Sequence, residues 1–144
     1  MTYSLPLIDL LLRGYRWFED GLLSRLEAAG WPEITRPHSL VFAHLDREGT
    51  RPSELARRIG ISRQAVHQTV GELVELGLFE LVPDPASRRA KLVVLTPLGR
   101  ETVQSGYAIF QELEDALAER IGRTSVTELR EALEADWGAP ASRR

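Results

Sequence analysis

Ser62-Arg63-Gln64-Ala65-Val66-His67-Gln68-Thr69-Val70-Gly71-Glu72-Leu73 is the stretch whose reading decides the fold. Val66, Val70, Leu73 and Leu76, with the methyl of Thr69, recur at steps of three and four. That is one stripe of a helix, so this face packs inward. Ser62 stands where an N-cap hydroxyl accepts an orphan amide hydrogen, and Gly77 where a left-handed residue ends a helix. The outward face of the first turns carries Arg63, Gln64, His67 and Gln68. All four reach hydrogen-bonding edges, and none is acidic.

Upstream, Pro52-Ser53-Glu54-Leu55-Ala56-Arg57-Arg58-Ile59-Gly60-Ile61 reads as a shorter helix with Pro52 in its first turn. Leu55, Ala56 and Ile59 form its buried stripe, Gly60 ends it and Ile61 plugs the corner. Arg51 stands where a capping Ser or Thr is expected, which leaves Thr50 to cap from one residue earlier. Two short helices joined by a tight Gly-containing turn make a helix-turn-helix, whose second helix suits the DNA major groove.

Downstream, Leu78-Phe79-Glu80-Leu81-Val82 and Lys91-Leu92-Val93-Val94-Leu95 favour strands. Pro83-Asp84-Pro85-Ala86-Ser87-Arg88-Arg89-Ala90 between them reads as a turn ending in paired arginines. Thr96 and Pro97 then cap and open another helix. A helix-turn-helix followed by a two-stranded wing is a winged helix. Its tip arginines suit phosphates or a narrow minor groove, where negative potential concentrates.

The chain has 144 residues, enough for one domain with a real core or a small domain with long helical extensions. Its net charge of −3 argues against a nucleic-acid partner until the distribution is read. Arg47 to Lys91 carries +2 and the flanks together −5; local charge steers association, whereas total charge governs solubility. Without cysteine there is no disulfide and no thiolate metal site. Met1 to Leu12 has an apolar run but no cationic head or small-residue cleavage site, and Arg13 ends it short of a membrane span. A cytoplasmic protein with no membrane partner is expected. His38 and His44 fall on different helix faces, and no histidine–carboxylate run has metal-ligand spacing, so neither a metal site nor an enzyme is expected.

Leu5 to about Ala28 reads as one long helix, apolar on nearly every side in its first two turns, more than a one-sided contact covers. Gly30-Trp31-Pro32 breaks it. Thr35 and Pro37 open a helix on which His38, Val41, Phe42 and Leu45 share a face. After the wing, Pro97 to about Ile121 presents Val103, Tyr107, Phe110, Leu113, Leu117 and Ile121 as its stripe. Ser125-Val126-Thr127-Glu128 is a capping box for a last helix carrying Val126, Leu129, Leu133 and Trp137. Gly138 to Arg144 reads as a tail. The expected fold is mainly α with a small β wing: a winged helix-turn-helix at 35–96, a dimerisation helix at 1–34 and dimerisation helices at 97–144. The apolar surplus of the end helices makes a symmetric dimer the natural solution.

These residues resemble the MarR family of winged-helix transcriptional regulators. The match runs through Pro52-Ser53-Glu54-Leu55-Ala56, Gly60-Ile61-Ser62-Arg63-Gln64-Ala65-Val66 and Leu73-Val74-Glu75-Leu76-Gly77-Leu78. It continues in Asp84-Pro85-Ala86-Ser87-Arg88-Arg89-Ala90-Lys91-Leu92 and Leu95-Thr96-Pro97-Leu98-Gly99. The wing run closing on Leu-Thr is the most specific part. The resemblance implies a homodimer joined through its first and last two helices, binding double-stranded DNA on a pseudo-palindromic operator, most often as a repressor. Ser62, Arg63, Gln64, His67 and Gln68 would face the major groove, and Arg88 and Arg89 the backbone or minor groove. Arg57 and Arg58 are further phosphate candidates.

Three positions depart from the family pattern. Gln68 and Glu72 fall where many members are basic, and Ser87 where an Asp is usual; the first two imply fewer released counterions and a modest or selective affinity. The resemblance also implies a signal read in the cleft between dimerisation and DNA-binding parts. Arg16, Trp17, Phe18, His38 and Phe42 would line a pocket for a small aromatic or phenolic acid, with Arg16 or His38 holding its carboxylate. The bland reading of that set is core and surface. The alternative for the whole chain is a winged helix used as a protein-interaction module. No cofactor is expected.

Overall fold

The computed structural model describes residues 4–140, so Met1 to Tyr3 and the end of the expected tail, 141–144, lie outside the described residues. Six helices and two strands follow in the order α1 (Leu7–Ala28), α2 (Arg36–His44), α3 (Pro52–Ile59), α4 (Arg63–Glu75), β1 (Phe79–Asp84), β2 (Ser87–Leu95), α5 (Pro97–Ile121) and α6 (Arg123–Glu134). The chain divides into two compact units between Ile109 and Phe110, within α5. Among the described residues no helix is long and apolar enough to cross a membrane.

The first unit is built where the local signals place it. Thr35 caps α2, its hydroxyl accepting from the His38 N–H while His38 returns a bond to the Thr35 N–H, a capping box with histidine at the third position. Ser62 caps α4 by accepting from the Ala65 N–H at 3.0 Å. Between α3 and α4, Gly60 adopts φ +78°, a conformation that a Cβ would strain. The Ile61 N–H then bonds back to the Ala56 carbonyl at 3.2 Å, closing the turn. Ile61 itself is 39% exposed, so the corner is closed by that main-chain bond and not by the expected apolar plug.

Leu55 of α3, Val66 and Leu73 of α4, Val41 of α2 and the β residues Phe79 and Val93 are all essentially inaccessible to solvent. With Leu78 they form the core on which the helix-turn-helix rests. Each such side chain contributes about 1.5–3 kcal/mol of burial. Phe42 meets Phe79 edge to face at 4.9 Å between centroids.

The wing is antiparallel, pairing Phe79 with Leu95 through to Pro83 with Lys91. The register then jumps so that Asp84 faces Ser87, across a turn of Pro85 and Ala86. The strands therefore reach further than expected, and Arg88 and Arg89 belong to β2, not to the turn. Pro83 cannot donate to a ladder, which accounts for the break in register beside it. Arg88, Arg89 and Ala90 consequently bulge from the edge without ladder partners. Thr50 pairs with Val93 as a third short segment, and its hydroxyl accepts from the Asp46 N–H at 2.8 Å. It does not cap α3, and Arg51 in the cap position makes no capping bond either.

Thr96 caps α5 through the Gly99 N–H at 3.0 Å. Gly99 is packed against Leu78, between α4 and β1, and Leu95 of β2 so closely that a Cβ there would lie 2.1 Å from the Leu78 carbonyl oxygen. The buried face of α5 is Thr102, Ile109 and Leu113; Leu113 belongs to the expected stripe, but Thr102 and Ile109 lie one position round from Val103 and Phe110. Tyr107 is 66% exposed. In the second unit α6 starts at Arg123, two residues before the expected capping box, with no side-chain cap. Val126 packs inward, while Trp137 lies beyond the helix and donates its indole N–H to the Ala132 carbonyl at 2.7 Å.

Candidate nucleic-acid interface

The outward face of α4 carries Arg63, Gln64, His67 and Gln68, all exposed, over a floor of buried Val66, Thr69, Val70 and Leu73. Ser62 is exposed at the helix start with its oxygen engaged in capping. Beside this face lies a cleft of about 270 Å³, lined by Arg51, Pro52, Ser53, Arg63, His67, Ala90 and Lys91. It joins the start of α3, the first turns of α4 and the base of the bulged wing. Its lining holds three fixed cations and no acid. Arg51 and Lys91 were not among the expected contacts. Their signal was the cluster of basic residues on either side of α3 and α4, which only folding brings to one cleft.

How the cations are used decides which can attract a polyanion. Arg57 donates to both Glu54 oxygens, through Nε at 3.0 Å and through Nη2. Arg58 donates to Asp46 at 2.8 Å, to the His44 carbonyl at 3.0 Å and to Glu54 at 3.1 Å. The hydrogen bonds from Arg57, with those from Arg58, hold the Glu54 carboxyl down at about 2. Arg57 is thus held within α3 by Glu54, while Arg58 ties α3 to the end of α2 and to Asp46 just beyond it.

Arg51 donates from Nε to Asp84 at 2.6 Å, anchoring the root of α3 to the wing. The Ala86 N–H also donates to Asp84, and with Arg51 it keeps that carboxyl below the usual carboxylate range. By contrast, Arg63, Arg88, Arg89 and Lys91 have no acidic partner among the described residues. These four border the cleft or stand on the wing.

Glu72 has a structural use. The Thr35 N–H donates to Nδ1 of His38 at 3.1 Å, so in the neutral ring the proton sits on Nε2, which donates to Glu72 Oε2 at 2.7 Å. The carboxylate that departs from the family pattern thereby ties α4 to α2. The same bonds correct one member of the expected effector pocket, His38. His38 is 3% exposed with both ring nitrogens engaged, so it has no group to offer a ligand carboxylate. Phe42 is spent on Phe79, while Trp17 and Phe18 form their own edge-to-face pair at 4.9 Å. Arg16 is exposed on α1.

A recognition helix with an outward polar face, a wing and an acid-free cationic cleft between them define a winged helix-turn-helix protein. The sequence model of the MarR family matches residues 33–90. Residues 33–90 are thus similar to the MarR-family winged helix, and the chain has the fold seen in transcriptional regulators of that family. An uncharacterised protein of Mycobacterium tuberculosis is 43% identical over 60 residues, 42% of this chain and 41% of that protein's own length. A MarR-family transcriptional regulator from Rhodococcus sp. RHA1 superposes with a TM-score of 0.68 at 26% identity, over 91% of this chain and 94% of that one. A mutant of the S. aureus protein MepR, solved bound to an oligodeoxyribonucleotide, gives a TM-score of 0.58 at 19% identity, over 90% and 94%.

Proposed function

We propose that the chain binds double-stranded DNA as a homodimeric transcriptional regulator, of the repressor kind, on a pseudo-palindromic operator. The observation that carries this reading is the partition of charge. The acids Glu54, Asp84 and Glu72 are engaged internally, while Arg63, Arg88, Arg89 and Lys91 are left without acidic partners around α4 and the wing. Cations so placed release counterions on meeting phosphates, and the Arg63, Gln64, His67 and Gln68 side chains have the length to reach base edges.

Dimerisation is supported by apolar surface left uncovered within each unit. Leu7 and Ile8 of α1 are 65% and 73% exposed, and Leu129 and Leu133 of α6 are also exposed. A soluble monomer rarely leaves such surface bare. Two such wings on one duplex require half-sites roughly one helical turn apart, about 10 bp.

The test is fluorescence anisotropy with DNA from upstream of the protein's own gene, at two salt concentrations, beside an unrelated duplex. Saturable, salt-sensitive binding that prefers the upstream duplex is expected. Arg63→Ala or Arg88→Ala is expected to weaken it by about 1 kcal/mol or more, the scale of one good contact. Salt-insensitive capture of a protein, with no preference between duplexes, would instead favour the interaction-module alternative.

A further inference from the structure

Gly71 sits in the interior of α4, a 13-residue helix, exposed and with nothing within 4 Å of where its Cβ would be. Its φ is not positive. No turn, close packing or left-handed backbone within the chain therefore requires glycine. Glycine is nevertheless the least favourable residue after proline in a helix interior, because it loses the most backbone freedom.

Its position points to the reason. Seven residues separate Gln64 from Gly71, so the two lie within about 20° of each other around the helix axis, on the face that also carries His67 and Gln68. From Arg63 to Gly71 the helix has no acidic side chain; the first acid, Glu72, is drawn to His38 of α2. Eight steps of about 1.5 Å make this acid-free run about 12 Å long, close to the width of the major groove.

We infer that Gly71 is where the far wall of the groove closes on α4, the absent side chain letting a DNA backbone segment approach the helix main chain. It is a positioning residue: by setting how deeply α4 sits, it decides whether Gln64, His67 and Gln68 reach base edges. The inference rests on the DNA-binding reading. It is distinct from any charge contribution, since glycine supplies none.

The experiment compares the full chain with Gly71→Ala and Gly71→Leu, by anisotropy against the upstream duplex and by thermal melting without DNA. Alanine fits the open space in the free protein, so Gly71→Ala is expected to melt higher by about 4 °C. Its affinity for DNA is expected to fall at least tenfold, and that of Gly71→Leu further. A merely structural glycine would give no such opposition between the two readouts. Affinity within twofold of the parent for Gly71→Ala would overturn the inference while leaving the DNA reading intact. A lower melting temperature would overturn it too, by showing that the glycine serves the fold. If the parent itself shows no saturable binding, the DNA reading fails and takes the inference with it.

Discussion

Replacing Glu72 by alanine should cost stability through His38, 34 positions away in sequence. The His38 side chain is almost wholly buried, and its Nδ1 is committed to the Thr35 N–H, so its Nε2–H has Glu72 as acceptor at 2.7 Å. Removing the carboxylate leaves a buried donor without a partner, at a cost of about 1–3 kcal/mol. Two effects work the other way. Glu72 is itself 46% exposed, so its freed rotamers and solvation return part of the loss, and alanine is a slightly better helix former. A net destabilisation of about 1–2 kcal/mol follows.

Glu72→Gln keeps a carbonyl oxygen in reach of Nε2 and should lose about half as much. The assay is urea unfolding at neutral pH, comparing midpoints at unchanged slope. If Glu72→Ala fell within 0.3 kcal/mol of the parent on the order of the method's error, the buried donor would not depend on this acceptor. If Glu72→Gln were as damaging as Glu72→Ala, the charge and not the hydrogen bond would be what His38 requires.

Three further outcomes are expected. Arg88→Ala with Arg89→Ala should lower the slope of log affinity against log salt by about 2 per bound protomer, whereas Arg57→Ala, whose guanidinium is held by Glu54, should change it little; equal slopes for both variants in a salt series would refute the partition of charge. Gly99→Ala forces α5 away from the Leu78 carbonyl, which its Cβ would meet at 2.1 Å, and should destabilise by about 2 kcal/mol or more in the same urea assay. The Glu54 carboxyl, held down from 4.5 to about 2 by hydrogen bonds from Arg57 and Arg58, should titrate near that value by NMR. Its linkage contributes stability fully above pH 4.5 and loses it as pH falls through about 2, so Glu54→Gln should flatten that part of the acid limb.

Much of this protein was legible in its sequence because the signals act within a turn or two of chain. The cap hydroxyls of Thr35, Ser62 and Thr96 and the Gly60 N–H satisfy backbone groups three or four residues away, while Pro52 and Pro97 at helix starts have no N–H to leave unpaired. The inward stripe of α4 is equally local, since a helix presents every third or fourth residue to one side. Tertiary structure alone decided the rest. Sequence could not choose partners for the arginines, because Arg51 finds Asp84 33 positions on and Arg58 finds Asp46 12 back, both by the packing of other elements. Nor could periodicity fix how far the buried face of α5 turns from Val103 and Phe110 toward Thr102 and Ile109; the close seat of Gly99 on Leu78 helps set that rotation. The wing's register broke at Pro83, carrying Arg88 and Arg89 into β2. His38 passed from a ligand-binding expectation to a buried tie, because the carboxylate it meets stands on another helix. Local hydrogen bonds determine where elements begin and end; which charges stay free is a property of the assembled surface.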